Sequence, residues 1–160
     1  MGFWLGTLRF LLVCFVSVVF LFAGTCKITP AVHPNTFYEL DQKFRGPYVK
    51  VIQGFVSNTL KTKHRINPSM LKRYLGITEI SSVLLIWSGN GQIGGSVLAC
   101  IMAGACYVHV CLKEDYYFPM TVGLICLCIS WMSIKKGGYL RPPKVGKPLR
   151  PESPAVKKSK

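Results

Sequence analysis

The stretch 67–87, NPSMLKRYLGITEISSVLLIW, decides the fold. It reads as one helix. Asn67 is a favoured N-cap, and Pro68 falls at the first helical position, where its missing N–H costs least. Lys72 and Arg73 lie on the early turns, and the remainder is apolar except at Glu79 and a few small polar positions. A helix of about 20 residues is roughly 30 Å long, the thickness of a bilayer core. Glu79 then sits inside the hydrocarbon, where an ionisable group costs a few kcal/mol or more unless neutral, paired or facing a polar cavity. Two readings stand at this point: a structural hydrogen-bonder within a helix bundle, or a functional site.

Working outward, three further apolar runs have spanning length. The first covers about 3–23, interrupted only by Arg9; the others cover about 93–112 and 118–134. The first run also fits a signal peptide, with Arg9 closing a short n-region and Phe10 to Phe22 as the apolar core. Gly24-Thr25-Cys26-Lys27-Ile28-Thr29-Pro30 punctuates its end: Gly24 as C-cap, Lys27 against the negative helix terminus, Pro30 forbidding continuation. The expected fold is all-α: a four-span transmembrane helical bundle over 1–134, with an amphipathic helical loop at 31–66 between spans one and two. In that loop Thr36-Phe37-Tyr38-Glu39 reads as a capping box. Phe37, Leu40, Phe44, Tyr48, Val51, Ile52 and Phe55 recur at helical spacing, with a kink at Gly46-Pro47. The stripe suits packing on the end of the bundle or lying in the membrane interface.

Composition agrees. The chain has 160 residues, half of them hydrophobic, and a net charge of +14. Its Lys and Arg fall in blocks outside the apolar runs, and no nucleic-acid-binding motif appears, so the profile is that of a membrane protein with basic water-facing segments. The seven cysteines lie in or beside apolar runs. They read as small packing residues, and Cys126 and Cys128, two apart on a helix, point to different faces, which disfavours a metal site. No cofactor is expected. Gly89-Asn90-Gly91-Gln92-Ile93-Gly94 formally matches a dinucleotide fingerprint, but that needs a preceding strand; here it is a turn between two helices. Gly95, Ala99 and Ala103 recur every fourth residue, a helix-packing face of small side chains.

Antiparallel spans bring Lys27, Arg73, His109 and Lys113 to one membrane face. Glu79 lies about 9 Å deeper than Arg73, and His109 about 6 Å deeper than Lys113, at 1.5 Å per residue. Lys27, Glu79, His109 and Arg73 are therefore the candidate buried polar cluster or client-interaction site. The basic segment 135–160 reads as a disordered tail. Lys157 and Lys158 stand fourth and third from its carboxyl end, the dilysine pattern that retrieves membrane proteins to the endoplasmic reticulum from a cytosolic tail; the 31–66 loop is then lumenal.

Together these residues resemble the novel acetylcholine receptor chaperone (NACHO) family, within the wider DoxX-like four-helix membrane proteins. The resemblance covers roughly 10–135. It rests on Gly24-Thr25-Cys26-Lys27-Ile28-Thr29-Pro30, on Tyr38 with Tyr48-Val49-Lys50, on Ile66-Asn67 with Lys72-Arg73 and Gly76-Ile77-Thr78-Glu79, and on His109. It implies a non-enzymatic endoplasmic-reticulum membrane chaperone for nicotinic acetylcholine receptor subunits, in contact with membrane lipid and with other chaperones of that compartment. The rival classes are a DoxX-like redox or quinone-linked membrane subunit and a small-molecule or proton transporter. His109 is the one histidine within the apolar runs, which supports a bis-histidine haem poorly.

Overall fold

The computed structural model describes residues 2–61 and 65–135. The tail, with Lys157 and Lys158, lies outside the described residues. The described chain is helical, with no strand: α1 Gly2–Ile28, α2 Pro34–Lys43, a π-helical turn Phe44–Tyr48, α3 Val49–Leu60, α4 Pro68–Trp87, α5 Gly91–Leu112 and α6 Tyr117–Lys135. By length and apolar composition three helical segments are able to cross a membrane: Gly6–Ile28, Gly91–Leu112 and Tyr117–Ile134. α4 has the length but carries Lys72, Arg73 and Glu79.

The start of α4 follows the local chemistry. Asn67 Oδ1 accepts from the amides of Ser69 and Met70 at 3.1 and 3.3 Å, with Pro68 opening the helix. α1 does not stop at Gly24 but continues to Ile28. Gly24 is used for contact rather than capping. A Cβ on Gly24 would lie 2.9 Å from the Gly76 carbonyl oxygen, and one on Gly76 would lie 2.7 Å from that of Gly24. Only two glycines let the α1 and α4 backbones meet this closely.

α1 packs on α4, α4 on α5, and α5 on α6, while α6 returns to α1. The shared core takes Val13, Val16 and Phe20 from α1, Val83 and Ile86 from α4, Leu98 and Ala99 from α5, and Val122, Cys126 and Ile129 from α6. α5 and α6 approach closely at Gly95, whose Cβ would fall 2.9 Å from the Cys126 oxygen. Of the expected small-residue face, Gly95 and Ala99 are buried, but Ala103 is exposed. Gly91 takes its place one turn earlier, against Ser133. The packing face has shifted toward the start of α5 because the helices are closest there. Beyond this contact, Ser96 and Ser130 hydroxyls meet at 2.9 Å, and Ser130 donates to the Gln92 carbonyl at 3.0 Å. Arg9 donates to Ser133 Oγ at 3.1 Å, joining α1 to α6 at this end.

α2, the π-turn and α3 pack over the opposite end, against α1, α4 and α5. The capping box at Thr36 does not form. α2 begins earlier, with Pro34 in its first turn and His33 Nδ1 accepting from Thr36 N at 3.2 Å. The proline fixes the first turn, so the cap falls on the residue before it. The kink is where Gly46-Pro47 places it: Gly46 has non-helical φ −104° and ψ −107°. Phe44 is buried and Phe37, Leu40, Tyr48, Val51 and Ile52 half-buried, so the apolar stripe lies against the bundle; Tyr38 and Phe55 remain exposed.

Candidate functional site

The Gly24–Gly76 contact sets the geometry of the site. Lys27 lies one turn past Gly24 toward the loop helices, and Glu79 one turn past Gly76 away from them, an axial offset of about 9 Å. Helical side chains lean toward their own N-terminus. In this antiparallel pair the two side chains therefore lean toward each other. Lys27 Nζ donates to both Glu79 oxygens at 2.6 Å. Glu79 is 1% exposed and Lys27 13%. A charged pair this deep persists only when its geometry is good, because each ion has lost its water.

The pair forms part of the wall of a cavity of about 770 Å³. Val19, Phe20 and Ala23 of α1 face Val97, Ile101 and Val108 of α5 across it, and Leu40, Phe44, Tyr48 and Ile52 roof it from the loop helices. The lining is apolar but for a handful of polar side chains, Lys27, Glu79, Tyr48, Ser96 and His109 among them. An apolar cavity with a few convergent polar groups is the general form of a ligand site.

A second ion pair stands nearer the loop helices. Lys72 Nζ donates to Asp41 Oδ1 at 2.6 Å and lies 3.7 Å over the Phe37 ring. Lys72 is 3% exposed and Asp41 21%. Arg45 Nε reaches the other Asp41 oxygen at 2.6 Å. The hydrogen bond from Lys72 comes first, and opposes the smaller effect of burial, in holding the Asp41 carboxyl below its usual range. Lys72, Gly76 and Glu79 share one stripe of α4, at spacings of four and three. Arg73, about 100° round the helix from Lys72, is exposed and joins no ion pair among the described residues. As a buried polar cluster, the expected set exchanges one member: Lys72, not Arg73, points inward, because it is the one in phase with Gly76.

His109 reaches the same cavity from α5 but does not touch Glu79. Its ring packs 5.9 Å from the Tyr48 ring, and its Nδ1 lies 2.9 Å from Glu114 Oε2 without the alignment of a hydrogen bond. Tyr48 donates to Glu114 at 3.3 Å. Burial first, then the Glu114 charge, pushes the Tyr48 phenol up to about 12. Asp41 and Glu114 are members that sequence reasoning did not single out, while Tyr48 and Lys72 stood in the quoted stretches but outside the expected cluster. The α4 stripe would have found Lys72; Asp41 and Glu114 carry no sequence signal, since their roles follow from how the loop helices dock.

Among the described residues no three His, Cys, Asp or Glu side chains gather to hold a metal ion. All seven cysteines are free. The arrangement is suited to binding: a rigid charged pair, a roof that is itself ion-paired, and apolar walls. Comparison with models of known families gives no match, and none is found among curated proteins.

Proposed function

We propose that the chain is a four-span membrane protein of the endoplasmic reticulum that assists assembly of nicotinic acetylcholine receptor subunits without chemical catalysis. The observation that carries this reading is the meeting of two sequence motifs. Gly24 and Lys27 belong to the first stretch on which the resemblance rests, and Gly76 and Glu79 to another; glycine packs on glycine and lysine pairs with glutamate. These residues form one structural unit, a closely apposed α1–α4 pair with a buried charge.

α4 serves as the fourth span in this reading. Its charges are compatible with that role because Lys72 and Glu79 are buried in protein, each with a partner, and so do not face lipid. Arg73, near the loop-helix end, reaches the interface along its own stem. Unassembled receptor helices present polar interface groups not yet satisfied by neighbours. A bundle that exposes small residues such as Ala103 and Gly104 and the hydroxyl of Ser96 offers such helices a temporary partner.

The test is surface receptor measured in cells that co-express receptor subunits with this chain or an empty vector. The chaperone reading expects more assembled receptor at the surface with the chain present. An unchanged amount, at confirmed expression of the chain in the endoplasmic reticulum, removes it.

A further inference from the structure

We infer that the cavity between α1 and α5 binds an uncharged, elongated lipophile carrying one oxygen-bearing polar end, such as a long-chain alcohol or a sterol. The inference concerns the bundle itself and does not depend on a receptor client.

The dimensions set the body of the ligand. The cavity is about 770 Å³, within the range of built ligand sites. Its walls include both Ser96 and His109, which lie about 20 Å apart along α5 at 1.5 Å per residue. Between them the lining is apolar, with Val97, Ile101, Ala105 and Val108 on the α5 side. The last turns of α1 and the first turn of α6, at Phe118 and Pro119, also lie on its walls. These helix ends are the ones opposite the Arg9–Ser133 junction, where α1 and α6 are tied together. An apolar space this large, flanked by helices of membrane-spanning length, is filled most favourably by an apolar chain or ring system.

The charged pair sets the head. An ammonium has three N–H donors. Two of those on Lys27 are spent on the Glu79 oxygens, and the third has no acceptor among the described residues. Lys27 is on the cavity wall, so this donor suits a hydroxyl or carbonyl oxygen of a ligand. The ligand must be uncharged. Lys27 and Glu79 together carry no net charge wherever their shared proton rests. An anionic head would compete with Glu79 for Lys27 and leave a carboxylate buried without a partner; a cationic one would do the same to Lys27. An uncharged oxygen adds one charge-assisted hydrogen bond and disturbs neither ion.

Photo-crosslinking of the full chain in phosphatidylcholine vesicles tests this. The probes are octadecanol bearing a diazirine and an alkyne, a sterol with the same tags, and the matching octadecanoic acid. Expected is saturable labelling by the alcohol or the sterol, with adducts mapped by mass spectrometry to peptides of the α1 and α5 walls. Ala105→Phe places a ring in the cavity and should reduce labelling about tenfold or more, the equivalent of at least 1.4 kcal/mol of affinity. Ala103→Phe, on the exposed side of the same helix, should label as the wild type does. The inference is overturned if the acid labels as well as the alcohol, or if wild-type adducts map to outward-facing residues such as Leu124 and Trp131. Equal labelling of the two phenylalanine variants overturns it as well. The wild-type adduct map decides the question by itself if Ala105→Phe does not fold.

Discussion

The two ends of the bundle are built on different principles. At the Arg9–Ser133 end, glycine and serine bring α5 and α6 into backbone contact, and the polar groups are hydroxyls that bond to neighbouring helices. At the loop-helix end, α1 and α4 meet backbone to backbone at Gly24 and Gly76, and beyond that contact stand two ion pairs and an open cavity. The first end is a fold made rigid by small residues. The second keeps its space beside paired charges, Lys27 with Glu79 and Asp41 with both Lys72 and Arg45. The contrast teaches that the same device, a glycine facing a helix backbone, serves closure at one end. At the other it serves to position long side chains.

The comparison can be broken most severely at Lys27. Lys27→Met leaves Glu79 buried and unpaired, and is expected to cost about 3–5 kcal/mol. Lys27→Met with Glu79→Met should recover most of that loss, since a buried pair is often replaceable by apolar side chains of similar size. Thermal unfolding of the purified protein in detergent checks both. A double variant no better than the single one would mean that the pair stabilises the fold outright rather than satisfying itself.

The closed end should respond by crowding instead of by lost charge. Gly95→Leu puts a side chain where Cys126 O and Ser130 N lie 2.9 and 3.0 Å from the position of its first carbon. The helices must separate, at a cost of about 1–3 kcal/mol or more. The same measurement serves, and an unchanged unfolding temperature would show that α5 and α6 are not held by this contact.

The Asp41–Lys72 pair links the roof to α4 and is the part of the site open to acid. Its carboxyl is held below the ordinary value of 3.8, chiefly by the hydrogen bond from Lys72. A depressed folded value adds stability that is fully present above 3.8 and is lost as the pH falls below it through the folded value. Asp41→Asn should remove this acid-dependent component and cost about 1–3 kcal/mol at neutral pH, because Lys72 is left buried beside a neutral group. Unfolding followed from pH 7 to pH 3 on wild type and variant checks it: their difference should narrow below pH 4.

Much of this was legible in the sequence. Asn67, Pro68, the long apolar runs and the kink at Gly46-Pro47 are local signals, and local chemistry fixes them. Antiparallel order and helical rise alone place Lys27, Glu79 and His109 at one end of the bundle and leave Glu79 either partner; the structure pairs it with Lys27. What was not legible depends on docking. Gly24 reads locally as a helix end, yet Gly76, fifty-two residues on, makes it a contact point and lets α1 run to Ile28. Thr36 reads as a cap, but Pro34 starts the helix first. Asp41 and Glu114 are surface residues by any local measure, and only the way the loop helices sit on the bundle gives them partners.

The smallest effect sharpens the comparison within one turn of α4. Lys72 and Arg73 are adjacent, both basic, and indistinguishable by composition. Helical phase separates them by about 100° (3.6 residues per turn), which puts Lys72 in line with Gly76 and Glu79 and turns Arg73 outward. Lys72 is buried and bonded to Asp41, whereas Arg73 is exposed. Lys72→Gln should therefore cost about 1–3 kcal/mol, since Asp41 loses its inner partner and keeps only Arg45. Arg73→Gln, on a solvent- or lipid-facing surface away from any such feature, should stay within about 0.5 kcal/mol of the wild type. Measuring both in one detergent at pH 7 isolates phase from charge, because each variant removes one positive charge at nearly the same depth. Equal effects would mean that the charge of the segment, and not the direction of the side chain, holds the roof on the bundle.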